Sequence, residues 1–342
     1  FSSTVSRKAE LSPDAAFGGS TFFADSTLPA ASAGNRLAPL ADTAGAAYIS
    51  PSATGHRPLG MATNRSKAAM PLPVYDPAHY PDQLAAKAAA FEARFAPLGV
   101  ADVAVHASAP LHYRMRAEFR IWHDGDALDY AMFDPENPRQ PIKLDTFPPA
   151  AEAICALMPL LRDKLRGSEA LRRSLFQLDF LATVSGEMLV TLIYHRRLNE
   201  DWEAAARALG DELGIRLIGR SKGQKIVLDR DWLLEELELN GRRLRYQQTE
   251  NSFTQPNAGV NRQMLAWACA QAAGFGGNLV ELYCGNGNFT FALAPLFEHV
   301  LATEVSKSSV HAAQYGLSAN GIENVALVRM SSEEFSAALA GR

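Results

Sequence analysis

Residues 278–290, NLVELYCGNGNFT, run from an apolar stretch through a two-glycine loop into a helix-like stretch, and HVLATEV follows at 299–305. Gly285 and Gly287 stand where the predicted strand turns into the predicted helix, so the backbone there can approach a ligand that a Cβ would keep away. Glu304 lies nineteen residues after Gly285, at the end of the second predicted strand. A doubly wound sheet places at that point the carboxylate that accepts hydrogen bonds from ribose hydroxyls. Thr290 occupies the third glycine position of G-x-G-x-x-G, which disfavours a dinucleotide and favours a smaller nucleoside such as S-adenosylmethionine. A structural turn followed by a solvent-facing glutamate is the plainer reading of the same residues.

The flanking sequence keeps the alternation going. NRQMLAWACAQAAG reads as a helix before the first strand, FTFALAPLF and SSVHAAQYGLSANG as the next two, and NVALVRM as a third strand. This βαβαβ order describes one half of a doubly wound, nucleotide-binding sheet. Three strands fall short of the usual five to seven, so the domain at 251–342 is expected to be incomplete at its C-terminus, with an exposed apolar edge. Cys284 borders the glycine loop, but no base or cation in CGNGN would activate its thiol, and it reads as structural.

Residues 70–250 carry a different pattern. Leu84, Ala88, Phe91 and Phe95 form one helical stripe, stopped by Gly99. In HYRMRAEFRIWHDGD, Met115, Ala117, Phe119 and Ile121 alternate with Arg114, Arg116, Glu118 and Arg120, the period of a half-buried strand closed by an Asp-Gly turn. Short strands are expected at 128–133 and 142–144, then a helix burying Ile154, Leu157, Leu161 and Leu165. LFQLDFLATV and EMLVTLIYHRR form a hairpin about Ser185-Gly186. A helix at 200–213 and strands at 215–219 and 225–229 complete an α+β domain with a largely antiparallel sheet.

Composition mainly excludes. Ala, Ser, Thr, Gly and Pro supply 43 of the first 69 residues, so residues 1–69 are expected to be disordered or a non-native extension, with a transit peptide as the alternative. Lys and Arg number 33 against 37 Asp and Glu, a formal charge of -4, so any nucleic-acid contact must be a local patch. Three dispersed cysteines rule out a disulfide framework and a cysteine-built metal centre, and no H-E-x-x-H occurs, so no metal is expected. No apolar run reaches the length of a membrane span. A cytoplasmic monomer fits these features.

Arg114, Arg116 and Arg120 share one strand face, which is either a solvated surface or one that meets phosphates. Phe176, in RRSLFQLD, and His195, in YHRR, add rings beside basic residues. That combination grips looped RNA by stacking and charge together. Core packing for Phe176 and a polar strand end for His195 are the alternatives.

YRMRAEFRIWHDGD, LFQLDFL, ENSFTQPN, ELYCGNGNF and LATEVSKSSVHAAQY together resemble the bacterial tRNA (uracil-5-)-methyltransferases, which make 5-methyluridine at position 54 in the T-loop of tRNA. The likeness runs from about Met70 to Arg342. It implies an α+β RNA-binding domain at 70–250 followed by a Rossmann-like class I methyltransferase domain. It places S-adenosylmethionine on Gln255, Tyr283, Asn288 and Glu304 around Gly285 and Gly287, and turns Arg120, Phe176 and His195 toward RNA. In the family a cysteine of an S-C-N-P loop adds to uracil C6, C5 then takes the methyl group, and a glutamate removes the C5 proton. Neither that loop nor the family's D-P-P-R occurs in this sequence. The nucleophile and base are therefore expected beyond Arg342. Related ribosomal-RNA enzymes often carry a TRAM domain and iron–sulfur cysteines, both missing here, which points to the tRNA branch. A ribosomal-RNA uridine methyltransferase and a non-catalytic tRNA-binding short form are the alternatives.

Overall fold

The computed structural model describes residues 76–100, 103–134 and 137–340; the expected disorder of residues 1–69 falls outside them. A 3-10 turn at Pro77–His79 leads into α1 (Tyr80–Phe95). Then come β1 (Arg116–Asp124), β2 (Ala127–Asp134), β3 (Asn137–Leu144), α2 (Glu152–Arg166), α3 (Glu169–Arg172), β4 (Leu175–Ala182), β5 (Met188–Tyr194), α4 (Glu200–Leu213), β6 (Arg216–Ser221) and β7 (Gln224–Val227). The seven strands form one sheet in the order β3-β2-β1-β4-β5-β6-β7. All neighbours are antiparallel except β5 and β6, which α4 connects as a crossover. The Asn199 side chain caps α4 by accepting the Trp202 N–H, and Gly214 ends it in the left-handed conformation.

The alternation of β1 is the reason one face is a core. Ala117, Phe119 and Ile121 are buried against α2 and α4 with Leu178, Phe180, Val190 and Leu192 from the neighbouring strands. Ile154, Leu157, Leu161 and Leu165 all face that core, joined by Met158. Gly219 is required by packing: a Cβ there would overlap the Trp202 indole. The stripe expected on α1 is weaker than its spacing suggests. No residue of that helix is fully buried: Leu84, Ala88 and Phe95 are half-buried, and Phe91 is exposed, its ring against that of Phe95.

A second layer follows. β8 (Trp232–Leu239) and β9 (Arg242–Thr249) make an antiparallel hairpin. After it come α5 (Ala258–Ala272), β10 (Asn278–Leu282), α6 (Thr290–Leu293), β11 (His299–Glu304), α7 (Lys307–Ala319), β12 (Val325–Arg329) and α8 (Ser332–Ala340). β10, β11 and β12 pair in parallel in that order. The hairpin lies within residues 70–250, yet its apolar side packs with the second layer: Leu237, Leu239, Leu244 and Tyr246 meet Leu265, Cys269 and Phe291. Phe291 is held on both sides by missing side chains, because a Cβ on Gly287 or Gly316 would overlap its ring.

The two layers are stitched through β8. Leu233 joins Leu181, Leu189 and Ile218 in a small apolar cluster. Leu234 N–H donates to Glu187 Oε2 at 2.6 Å, Ser185 Oγ donates to the Leu234 carbonyl at 2.7 Å, and Val184 N–H donates to the Glu235 carboxylate at 3.0 Å.

Candidate functional site

The glycine loop is pinned to β11. Cys284 N–H donates to the Thr303 carbonyl at 3.0 Å, and Gly285 N–H donates to Glu304 Oε2 at 3.0 Å. Glu304 Oε1 accepts from Ser306 N–H at 2.7 Å, so the carboxylate predicted from spacing is held rigidly where β11 ends. Gly285 has φ +59, and a Cβ on it would meet no atom within 4 Å. The space over that residue is open. Gly287 differs: its φ of +90 and the Phe291 ring against it make it a packing glycine.

Beside the loop lies a cavity of about 140 Å³ lined by Met115, Gln255, Tyr283, Asn288, Glu235 and Glu281, among others. Gln255 therefore joins Tyr283, Gly285 and Asn288 of the glycine loop on one cavity, whereas Gly287 and Glu304 are not among its lining residues. Tyr283 adopts φ +59, costly for a non-glycine residue. Its ring is largely exposed, and its hydroxyl meets Ser332 Oγ. Asn288 is fixed by reciprocal amide bonds with Asn261, at 2.8 and 2.9 Å. Burial pushes the Cys284 thiol up to about 12, with Glu281 and Glu304 adding to it, so this cysteine is no nucleophile. Burial likewise raises the Cys269 thiol.

Sequence reasoning missed two carboxylates of this cavity, Glu235 buried and Glu281 half-buried. Glu235 comes from the hairpin, and burial pushes it up to about 7. Glu281, also raised by burial to about 7, accepts from Thr290 Oγ1 at 2.7 Å. Gln248 donates to Glu235 at 3.2 Å, while its own buried Oε1 has no partner. The alternation on either side of Asn240-Gly241 was the available signal, and both turn residues take the positive φ that such a hairpin needs.

A second cluster occupies the helix-free face of the seven-stranded sheet. Arg120, Gln177, Ile193, Arg220 and Lys225 are successive partners across β1, β4, β5, β6 and β7. A register shift between Leu175 and Gln177 releases Phe176 from the ladder. Its ring stacks on His195 with centroids 4.0 Å apart, and Arg120 Cζ lies 4.0 Å from the same ring. The three residues singled out for RNA thus form one stack. Arg116 belongs elsewhere: it is half-buried and donates to the Ser252 carbonyl at 2.7 Å, anchoring the loop that leads to Gln255. Arg114 lies before β1 in isolated bridges to Ala150 and Asn257.

Below the stack lies a charged network. Arg220 donates twice to Glu250, at 2.7 and 2.6 Å, and Lys225 pairs with the same carboxylate at 3.3 Å. Burial works to raise Glu250, but these cations hold it below its ordinary value. Asp179, between Gln177 and Glu118 on the sheet, is pushed by burial to about 6. Among the described residues no cluster of His, Cys, Asp or Glu is placed to hold a metal ion, and no helix is long and apolar enough to cross a membrane.

Residues 79–342 match the tRNA (Uracil-5-)-methyltransferase family. The chain is 80% identical over 273 residues to the tRNA/tmRNA (uracil-C(5))-methyltransferase of Dechloromonas aromatica, covering 80% of this chain and 75% of that protein. It is 66% identical to the enzyme of that name from Aromatoleum aromaticum, over 79% of this chain and 74% of the relative. In fold it is similar to the Pyrococcus abyssi tRNA (uracil-54, C5)-methyltransferase, solved with S-adenosyl-L-homocysteine, with TM-score 0.55 and 15% identity over 73% of this chain and 63% of that one. The chain belongs to the tRNA (uracil-5-)-methyltransferase family, whose cofactor is S-adenosylmethionine.

Proposed function

We propose that this chain binds the T-loop of tRNA on the face carrying Arg120, Phe176 and His195 and presents C5 of uridine 54 to S-adenosylmethionine on the Gly285 loop. One observation carries the reading. Met115 lines the cavity and Arg120 touches the stack, so a single stretch of chain joins them across five residues, about 17 Å at strand spacing. An enzyme acting on a base must take it out of its stack. A ring platform one strand-length from the cofactor is suited to hold the loop while one base turns away from it.

The residues fit the cofactor. Open space over Gly285 admits a ligand against the backbone. The Glu304 carboxylate stands behind the cavity rather than in its lining, accepting from the Gly285 and Ser306 N–H groups, and so fixes the loop that meets the ribose end of the cofactor. Bound there, S-adenosylmethionine supplies an electrophilic methyl group. Gln255, Tyr283 and Asn288 orient it, and Arg116 positions the Gln255 loop through Ser252. The part of the reaction assigned to these residues is binding and orientation, since neither Cys269 nor Cys284 has the surroundings of an activated thiol. Chemical footprinting of unmodified tRNA with this chain tests the reading. Protection concentrated on the T-loop is expected; equal protection of an unrelated hairpin would contradict it.

A further inference from the structure

Parallel pairing sets the C-terminal ends of β5 and β6 side by side, with Ile193 opposite Arg220. The chain past each end is basic: His195, Arg196 and Arg197 follow β5, and Lys222 sits at the turn from β6 to β7. With Phe176, these segments line an open recess of about 720 Å³ that holds four cationic side chains and no carboxylate. Two of the four are already engaged. Arg196 donates to the carbonyls of Arg173, Arg197 and Ala170, and Arg220 is clamped on Glu250. Arg197 and Lys222 are exposed, and their side chains make no hydrogen bond or ion pair with the described residues. Lys143, Arg207 and Arg243 have carboxylate partners, whereas Arg242, Arg262 and Lys307, exposed elsewhere, form no ion pair among the described residues but line no such recess. In a chain of net charge -4, two unneutralised cations beside stacked rings form a local island of positive potential.

We propose that Arg197 and Lys222 hold backbone phosphates of the RNA strand that meets the Phe176–His195 stack, and so fix its register relative to the cofactor cavity. The proposal rests on the tRNA reading above. Phosphate contacts position a strand without reading its sequence, so these two residues supply placement while the stack engages a base. Such contacts release counterions, and their number appears in the salt dependence of binding.

The test is fluorescence anisotropy of labelled, unmodified tRNA with the full chain, over about 50 to 200 mM salt. Arg197→Ala and Lys222→Ala should each lower the slope of log K against log salt by about 0.7 to 0.9, and the double variant by about twice that. Arg197→Lys should keep the wild-type slope. Phe176→Ala should weaken binding at every salt concentration with its slope unchanged. A wild-type slope in the double variant, with wild-type protein binding normally, overturns the proposal alone. Absence of tRNA binding by the wild-type protein overturns the functional reading and this proposal with it.

Discussion

The Phe176 ring lies against the His195 ring with centroids 4.0 Å apart and planes inclined by 26°. Neither residue is needed to close the core: Phe176 is half-buried and His195 exposed. Arg120 and His195 cover the two faces of Phe176, so the exposed His195 ring is the platform left for a base and Phe176 is what holds it there. Stacking of one base on such a ring contributes about 1–3 kcal/mol. Phe176→Ala should therefore weaken tRNA binding by roughly 10- to 100-fold with little change in thermal midpoint, read by anisotropy and calorimetric melting. A midpoint falling in step with affinity would assign Phe176 to the core instead.

Cys284 invites modification because it borders the Gly285 loop, and the structure predicts that it resists. The thiol is buried and pushed up to about 12, which leaves roughly one thiolate in ten thousand at pH 8. Iodoacetamide under native conditions, followed by peptide mass spectrometry, should leave Cys284 unlabelled until the protein unfolds. Rapid native labelling would contradict the placement.

Glu235 should make stability depend on pH. Its carboxyl is raised from 4.5 to about 7 by burial, so the native state binds more protons than the unfolded chain between these values. The contribution is fully present below the unfolded carboxylate range and is lost as pH rises through about 7. Glu235→Gln keeps an acceptor for the Val184 N–H and does not titrate. Relative to wild type its stability should improve with pH, by an amount approaching about 3 kcal/mol by pH 8. Urea unfolding at a series of pH values measures this, and a difference that does not vary with pH would count against it.

Gly219→Ala and Gly316→Ala should each destabilise the chain by about 1–3 kcal/mol, because the added methyl would overlap Trp202 and Phe291 respectively. Neither residue lines the cavity beside the Gly285 loop. Chemical denaturation should report the loss, and cofactor affinity at low temperature should be retained. A neutral substitution at either position would show that the ring beside it is free to move.

Much of this arrangement was legible because it is local. The period of two in Met115–Ile121, the four-residue stripe of α2, and the spacing from Gly285 to Glu304 are one-dimensional signals, and β1, α2 and the loop pinned to β11 follow them. What escaped depends on distant pairing. Arg116 looks identical to Arg120 in the alternation, but only the fold brings Ser252 to its guanidinium. Gly287 reads as a ligand glycine until Phe291 is placed against it. Glu235 is one of several acids in WLLEELEL, and its burial depends on the β4–β5 turn reaching across to it. The stripe of α1 is followed only in part: Leu84, Ala88 and Phe95 are half-buried and Phe91 is exposed.

The central claim is that one chain holds two separable sites, a cofactor cavity organised by Glu304 and an RNA platform organised by Phe176. Isothermal titration of wild type, Glu304→Ala and Phe176→Ala with S-adenosylmethionine and with unmodified tRNA tests it most directly. Glu304→Ala should lose roughly 10- to 100-fold in cofactor affinity, the scale of hydrogen bonds to a charged group, while binding tRNA normally. Phe176→Ala should show the reverse. Cofactor binding untouched by Glu304→Ala, or tRNA binding untouched by Phe176→Ala, would contradict the account.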